Sequence, residues 1–304
     1  MIDVPCALCG SDDRRPLHAV TLFAEPIRIV RCGACGHVFR SPRPDDAALD
    51  AYYDERYYGG STDAGAYVYD DERVHRDVAR LRARFRLARM ERTLGRPDRP
   101  DRSDRSARTG RLLAAGCSFG LFLAEARERG WEPIGVDVSP YAAGWAREEL
   151  GLDVRAGRLA DQTDLPEGSF DAAYLSETIE HLTDPVGDLR FLASRLAPGG
   201  IAVVGTGNVA SVAARVRGAR WGYFMPGHLQ LFSIASLGRA LRAAGLTPLG
   251  TYVPDDRGFR AAVALARTES RSALRAVLTR ALQAVRIGPL AVGAGMVAYA
   301  RRDA

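Results

Sequence analysis

The sequence predicts an α/β fold, a mostly parallel sheet flanked by helices, with a small cysteine-rich module in front of it. Three observations predict this. From Arg111 onward, short apolar runs alternate with amphipathic stretches. The first run ends in a glycine-bearing turn and the second in an aspartate. Four of the five cysteines fall in two Cys-x-x-Cys pairs near the N-terminus. Apolar runs alternating with helical patterns mark βαβ units, whose crossovers make neighbouring strands parallel.

At 304 residues the chain has room for one large α/β domain and a small appended module. The formal net charge is +5, and much of the excess sits in two Arg-rich stretches, Arg73–Arg92 and Arg96–Arg111. A mild, clustered excess reads as solvated surface, so nucleic acid is not the expected partner. The start, Met-Ile-Asp-Val-Pro-Cys, has neither the basic residues nor the apolar run of a secretory leader. The segment Ile287–Ala300 is too short to span a bilayer and is interrupted by Pro289, Gly293 and Gly295. The expectation is a cytoplasmic protein with reduced thiols and no membrane partner.

Residues 1–44 form the first unit. Cys6/Cys9 and Cys32/Cys35 are each followed by glycine, Gly10 and Gly36. Two intervening residues let a tight turn aim both sulfurs at one point, and the glycine supplies the positive φ of a knuckle. Val20–Phe23 and Ile27–Val30 read as a strand pair. Together these predict a zinc ribbon, with Cys6, Cys9, Cys32 and Cys35 as ligands of a structural Zn2+. Disulfides or redox-active thiols are the alternative, but neither pair sits in a thioredoxin-like βαβ unit. His37, a surplus fifth ligand, is expected at the surface.

Residues 45–110 read as a helical bridge and linker. Asp45 is positioned to cap a short helix leading to Tyr52, Tyr53, Tyr57 and Tyr58; Tyr57 and Tyr58 are candidates for a lid. From Asp71 to Leu94, Val74, Val78, Leu81, Phe85 and Ala88 recur at helical spacing, predicting one buried face. The opposite face carries Arg76, Arg80, Arg82, Arg84, Arg86 and Arg89 and reads as solvated. Gly95–Gly110 lacks periodicity and reads as a flexible linker.

Residues 111–304 form the catalytic candidate. Arg111–Ala115 is a short strand, Gly116-Cys117-Ser118-Phe119-Gly120 a turn, and Leu121–Ala126 opens a helix that stops at Gly130. Pro133–Val138 is a second strand carrying Asp137, roughly 20 residues beyond the first glycine, where a Rossmann-like core places the acid that binds adenosine ribose hydroxyls. Ser118 occupies the middle position of the glycine fingerprint, and the spacing does not suit a dinucleotide pyrophosphate. A cationic sulfonium needs no anion cradle, so the loop favours S-adenosylmethionine over NAD.

The landmarks Leu113–Gly120, Gly135–Ser139, Leu165–Asp171, Ser176–Leu182 and Leu196–Gly200 occur in an order that resembles the class I S-adenosylmethionine-dependent methyltransferases. The resemblance covers about Arg111 to Asn208 and extends more loosely to the C-terminus. Gly227–Ser233 is similar to the segment after the fifth strand in a zinc-ribbon-bearing branch of these enzymes. The resemblance implies a Rossmann-like, mostly parallel seven-stranded sheet ending in an antiparallel pair, with Leu246–Val253 and Met296–Arg301 as its last strands. It implies that the loop Ala115, Gly116, Cys117, Ser118, Phe119 and Gly120 holds the methionine part of the cofactor, with Cys117 as packing. Asp137 would hold the ribose, Val138 and Leu159 would flank the adenine, and Ser176 and Glu177 would line its inner side. One position departs: Ala114 stands where the family usually has an acid, which predicts weaker or rearranged binding.

Methyl transfer to a hydroxyl requires alignment and a proton acceptor. His181, after the fourth strand, and His228, after the fifth, are the candidates; Trp221, Tyr223, Phe224 and Met225 are an aromatic patch that would wall the acceptor. Ser236–Gly245 reads as a helix. Arg271–Arg286 reads as an amphipathic helix that would cover the sheet or form a homodimer surface. The expected acceptor is a small molecule (a sugar, glycan or specialised metabolite), with O-methylation favoured. The alternatives are an RNA or protein methyltransferase gripping substrate with the ribbon and the Arg-rich helix, a sugar C-methyltransferase, and a non-catalytic binding module.

Overall fold

The computed structural model describes residues 1–22, 25–52, 73, 76–96, 109–252, 286–287, 290–291 and 295–303. Tyr57, Tyr58, Val74, most of the 95–110 linker and residues 271–285 lie outside them. Arg286, expected to end a helix, instead begins a two-residue strand.

The chain opens with two long antiparallel strands, β1 (Arg14–Leu22) and β2 (Glu25–Cys32), in register from Arg14↔Cys32 to Leu22↔Glu25. β3 (Val38–Arg40) adds to β2. Asp45 caps helix α1 (Asp46–Tyr52) by accepting from Ala48 N at 3.0 Å. Helix α2 (Arg76–Thr93) follows.

The phase of α2 differs from the expectation. Phe85 is half exposed, while Ala83, Leu87 and Met90 are buried. The reason is electrostatic: the helix docks where Glu125, buried on the neighbouring helix, accepts from Arg80 Nε at 3.1 Å and Arg84 Nε at 2.7 Å. Arg80 also pairs with Glu128. Part of the expected solvated arginine face therefore faces protein. Arginine stems pack against apolar surface while their heads find carboxylates, so charge alone does not mark the outer face.

The main sheet begins with β4 (Gly110–Ala115), α3 (Leu121–Glu128), β5 (Trp131–Asp137), α4 (Pro140–Leu150) and β6 (Asp153–Ala156). It continues with β7 (Phe170–Ser176), α5 (Pro185–Arg195), β8 (Leu196–Gly207) and the short α6 (Val212–Arg217). After β9 (Gln230–Leu231) come α7 (Ile234–Ala243), β10 (Leu246–Tyr252), the pair β11 (Arg286–Ile287) and β12 (Leu290–Ala291), and β13 (Gly295–Arg302). The seven-stranded order is β10-β13-β8-β7-β4-β5-β6. Every pairing is parallel except those of β13, which is antiparallel to both neighbours.

Period-2 alternation divides the core. Leu113 joins an apolar cluster with Leu189, Leu192 and Leu237, while Leu112 joins another with Leu87, Leu123 and Ala146. Each such side chain contributes roughly 1.5–3 kcal/mol through burial. The order reverses at β4, whose neighbours lead to β5 on one side and β7 on the other. Open α/β sheets bind ligands beyond the strand ends at such a switch.

The N-terminal strands do not end as an isolated module. β9 pairs antiparallel with β3 (Val38↔Leu231, Phe39↔Gln230), giving a second sheet, β1-β2-β3-β9. His37, expected at the surface, is fully buried at this junction, 3.0 Å from Gln230 and against Phe232. Burial pushes its imidazole down to about 4, so it packs as a neutral ring.

Candidate active site

A cleft of about 570 Å³ opens at the switch point, within the size range of small-molecule sites. One end lies over the turn after β4. Gly116 (φ +66°) approaches Thr178 so closely that a Cβ would stand 2.3 Å from its hydroxyl oxygen. Ser118 holds a positive φ without being glycine, and its amide donates to Asp137 Oδ2 at 2.7 Å. Ser139 N donates to the other oxygen at 3.0 Å. Two backbone amides thus fix the orientation of the Asp137 carboxylate on the cleft wall.

Ala115, Gly116, Ser118, Asp137, Val138, Leu159, Ser176, Glu177 and His181 all line this cleft. Cys117, Phe119 and Gly120 do not; they support the loop from behind. Cys117 packs against Gly135, where a Cβ would stand 2.6 Å from its sulfur. Phe119 is buried edge-on to Tyr141 and Trp145. Gly120 (φ +74°) precedes α3.

The other end is a network that the sequence showed only in fragments. Glu177, in a left-handed conformation (φ +53°), opens onto the cleft at the tip of β7. Tyr223 Oη lies 2.9 Å from Glu177 Oε2, 3.2 Å from Thr206 Oγ1, and also against the fully buried Glu180. Gly207 N donates to the same oxygen at 2.7 Å, and Thr206 Oγ1 donates to Glu180 Oε2 at 2.9 Å. Tyr223 has one proton to give and two carboxyls to serve. The depth of the site, and then Glu180, push Glu177 up to about 8 even though its side chain opens onto the cleft. Burial also raises Glu180.

The two histidines meet here. His181 lines the cleft and His228 sits behind it, ring centroids 4.7 Å apart and nearly perpendicular. His181 Nδ1 lies 2.9 Å from Gly227 O, and His228 Nδ1 lies 2.8 Å from Tyr223 O. A carbonyl can only accept, so each δ nitrogen carries the proton and each Nε2 a lone pair. Burial lowers both pKa values, His228 to about 3 with His181 as a second cause. Arg86, read as part of a solvated face, donates to Ser176 Oγ at 2.9 Å and to Tyr174. No periodicity marks Arg86 or Glu180, because their partners are remote in sequence.

The four cysteine sulfurs of the N-terminal module lie within 4.8 Å of one another. Cys6 and Cys35 are 3.5 Å apart and Cys9 and Cys32 3.6 Å apart, contacts far longer than a disulfide bond of about 2.05 Å.

The methyltransferase domain family matches residues 71–250. The chain belongs to this methyltransferase family. The fold of this methyltransferase is that of S-adenosylmethionine-dependent enzymes: it aligns with one from Archaeoglobus fulgidus at a TM-score of 0.51 and 19% identity, over 76% of this chain and 97% of that one. Among curated relatives, a ubiquinone biosynthesis O-methyltransferase of Xanthomonas campestris is 35% identical over 119 residues, 36% of this chain and 49% of its own length. One from a Caulobacter species is 36% identical over 103 residues, 32% and 41% respectively. The methyltransferase thus spans about half the length of the curated relatives it matches. Among the described residues, no helix is long and apolar enough to cross a membrane.

Proposed function

We propose that the protein transfers a methyl group from S-adenosylmethionine to a hydroxyl of a small-molecule acceptor held beside Glu177 and His181. One observation carries this reading: a single cleft joins the amide-aimed Asp137 to His181, whose ring packs edge-on against His228 behind it. The cofactor supplies an electrophilic methyl on a sulfonium. Asp137 accepts from the ribose hydroxyls, Val138 and Leu159 flank the adenine, and Gly116 admits the methionine part close to backbone.

 Leu159 reaches the cleft from the turn after β6. With Nδ1 protonated toward Gly227 O, His181 on the cleft wall has Nε2 as its basic nitrogen, and His228 packs edge-on behind it. In the displacement the C–S bond breaks as the C–O bond forms, and the hydroxyl proton leaves to His181 Nε2. The Xanthomonas and Caulobacter relatives are named O-methyltransferases, which agrees with this choice. The ion pairs of Arg80 and Arg84 argue against α2 as a polyanion grip.

We also infer that Cys6, Cys9, Cys32 and Cys35 hold a structural zinc. Tetrahedral Zn–S bonds of about 2.3 Å place sulfurs about 3.8 Å apart, near the 3.5 and 3.6 Å contacts. Its role is to fix β3, and through β3 the β9 segment next to the acceptor end. Calorimetry with S-adenosylmethionine and S-adenosylhomocysteine, followed by mass spectrometry of hydroxylated acceptors, tests the proposal. Micromolar binding and a gain of one methyl are expected; absence of binding below millimolar overturns it.

A further inference from the structure

Residues 227–231 are bound on both sides. On one side they grip the turn Ile179–His181 and the residue after it. Gly227 O lies 2.9 Å from His181 Nδ1, Leu229 N donates to Glu180 O at 2.8 Å, and Gln230 Nε2 donates to Leu182 O at 3.2 Å. On the other side they join the N-terminal module: Arg40 N donates to Leu229 O at 2.9 Å, and Val38 and Phe39 pair with Leu231 and Gln230. The Gln230 side chain bonds both ways, its Oε1 standing 3.0 Å from His37 Nε2. We propose that Gln230 is a positioning residue for methyl transfer: tied to His37, it holds the turn that sets His181 on the cleft wall. The inference rests on the methyl-transfer reading and deepens it, by assigning residues that act through His181.

A carbonyl only accepts, so the end of the Gln230 amide that faces Leu182 O is its NH2 and the end that faces His37 is its oxygen. His37 must then donate from Nε2, the opposite tautomer from His181, whose proton sits on Nδ1 toward Gly227 O. The Nδ1 of His37 is buried with no partner among the described residues. A phenylalanine would pack alongside Phe39 and Phe232 without leaving a buried nitrogen unpaired. Packing alone therefore does not call for histidine here; the bond to Gln230 does. Both side chains are buried, so water does not compete for the bond between them and the amide is held in one orientation. The two carbonyls held by residues 229 and 230 are those of Glu180 and Leu182, one on either side of His181.

Gln230 is outside the cleft lining, whereas His181 and Leu182 are part of it. The proton transfer therefore stays with His181, and the contribution of Gln230 is geometric. Such a contribution is large, because a shift of about 1 Å in a catalytic group costs about 100-fold in rate. Removing the amide frees the turn without taking any group out of the site.

The test uses the full chain with its ribbon zinc retained and histidine-selective isotope labelling. Nuclear magnetic resonance follows solvent exchange of the His181 Nδ1–H proton, whose signal is assigned by its loss in His181→Asn. Gln230→Met keeps the side-chain volume and removes both hydrogen bonds. It is expected to speed that exchange by about tenfold or more, with zinc content unchanged and S-adenosylmethionine affinity by calorimetry within about threefold. His37→Phe should speed it by a smaller factor, and adding it to Gln230→Met should change nothing more, because His37 acts through Gln230. A merely structural glutamine would lower the melting temperature and leave His181 exchange as in wild type. That result overturns the inference, and so do effects of the two substitutions that simply multiply. If Gln230→Met fails to fold, His37→Phe decides: unchanged His181 exchange overturns the inference. Failure of the wild-type protein to bind S-adenosylmethionine would instead overturn the methyl-transfer reading, while the exchange rates still report whether Gln230 holds His181.

Discussion

The two ends of the cleft are made from different kinds of chain. The donor end comes mainly from one stretch, Ala115 to Ser139, with Leu159 added after β6, and its decisive contacts are backbone amides of Ser118 and Ser139 on Asp137. The acceptor end draws Glu177 and Glu180 from just after β7, Thr206 from β8, and Tyr223 and His228 from the segment before β9, and the contacts that join its carboxyls and hydroxyls are between side chains. A site built on local backbone is specified by a motif. A site built from converging side chains is specified by whatever holds the segments together, and here part of that scaffold is the N-terminal sheet.

The largest expected effect breaks that scaffold. Cys32→Ser removes one of four sulfurs, and structural zinc sites of this type contribute about 10 kcal/mol or more in isolated peptides. Zinc content should fall below stoichiometric. β3, paired with β9, should loosen together with the buried His37–Gln230 contact. If the ends differ as described, acceptor KM rises at least tenfold while S-adenosylmethionine affinity stays within about threefold. An equal loss at both ends, read by calorimetry and steady-state kinetics, would abolish the distinction.

Asp137→Ala strikes the opposite end. It removes two charge-assisted acceptors, each contributing about 1.5–3 kcal/mol, so cofactor affinity should fall about 100-fold or more. Retained micromolar affinity for S-adenosylmethionine would remove Asp137 from the donor end.

Tyr223→Phe has a smaller and different signature. The Gly207 amide loses its acceptor and the two carboxyls lose their shared donor, a cost of about 1–3 kcal/mol for buried groups left unpaired. Thermal stability should fall and kcat should drop about tenfold, with cofactor affinity unchanged. A change confined to cofactor affinity would show that Tyr223 serves the donor end.

This contrast explains what could be read in advance. The turn after β4 and Asp137 were legible because each is a local pattern, a glycine-bearing turn and an acid at a strand end, whereas the seven-stranded sheet came with the family resemblance. The histidines were visible as residue types at strand ends, but their edge-on meeting at 4.7 Å was not. Glu180 was read only as a neighbour of His181, and its burial depends on Thr206 and Tyr223. Arg80 and Arg84 misled for the same reason, since their partner Glu125 is more than 40 residues away. His37 was misplaced because its cover comes from Gln230 and Phe232, almost 200 residues further along the chain.

The smallest expected effect concerns Asp188, on the cleft wall between the ends. Burial, and then the neighbouring Asp184, raise its carboxyl from 3.8 to about 6, with Arg158 opposing. A folded pKa above the unfolded value means that the stability this carboxyl contributes is complete below about pH 3.8 and is lost as pH rises through 6. At neutral pH the charged form is held in an unfavourable place. Asp188→Asn should therefore stabilise the protein by about 1 kcal/mol at pH 7.5, or roughly 2–4 °C in Tm, and by nothing at pH 4. A difference in Tm that is the same at both pH values would point to packing rather than charge. A variant that also lost cofactor affinity tenfold would move Asp188 from the wall between the ends into the donor end itself.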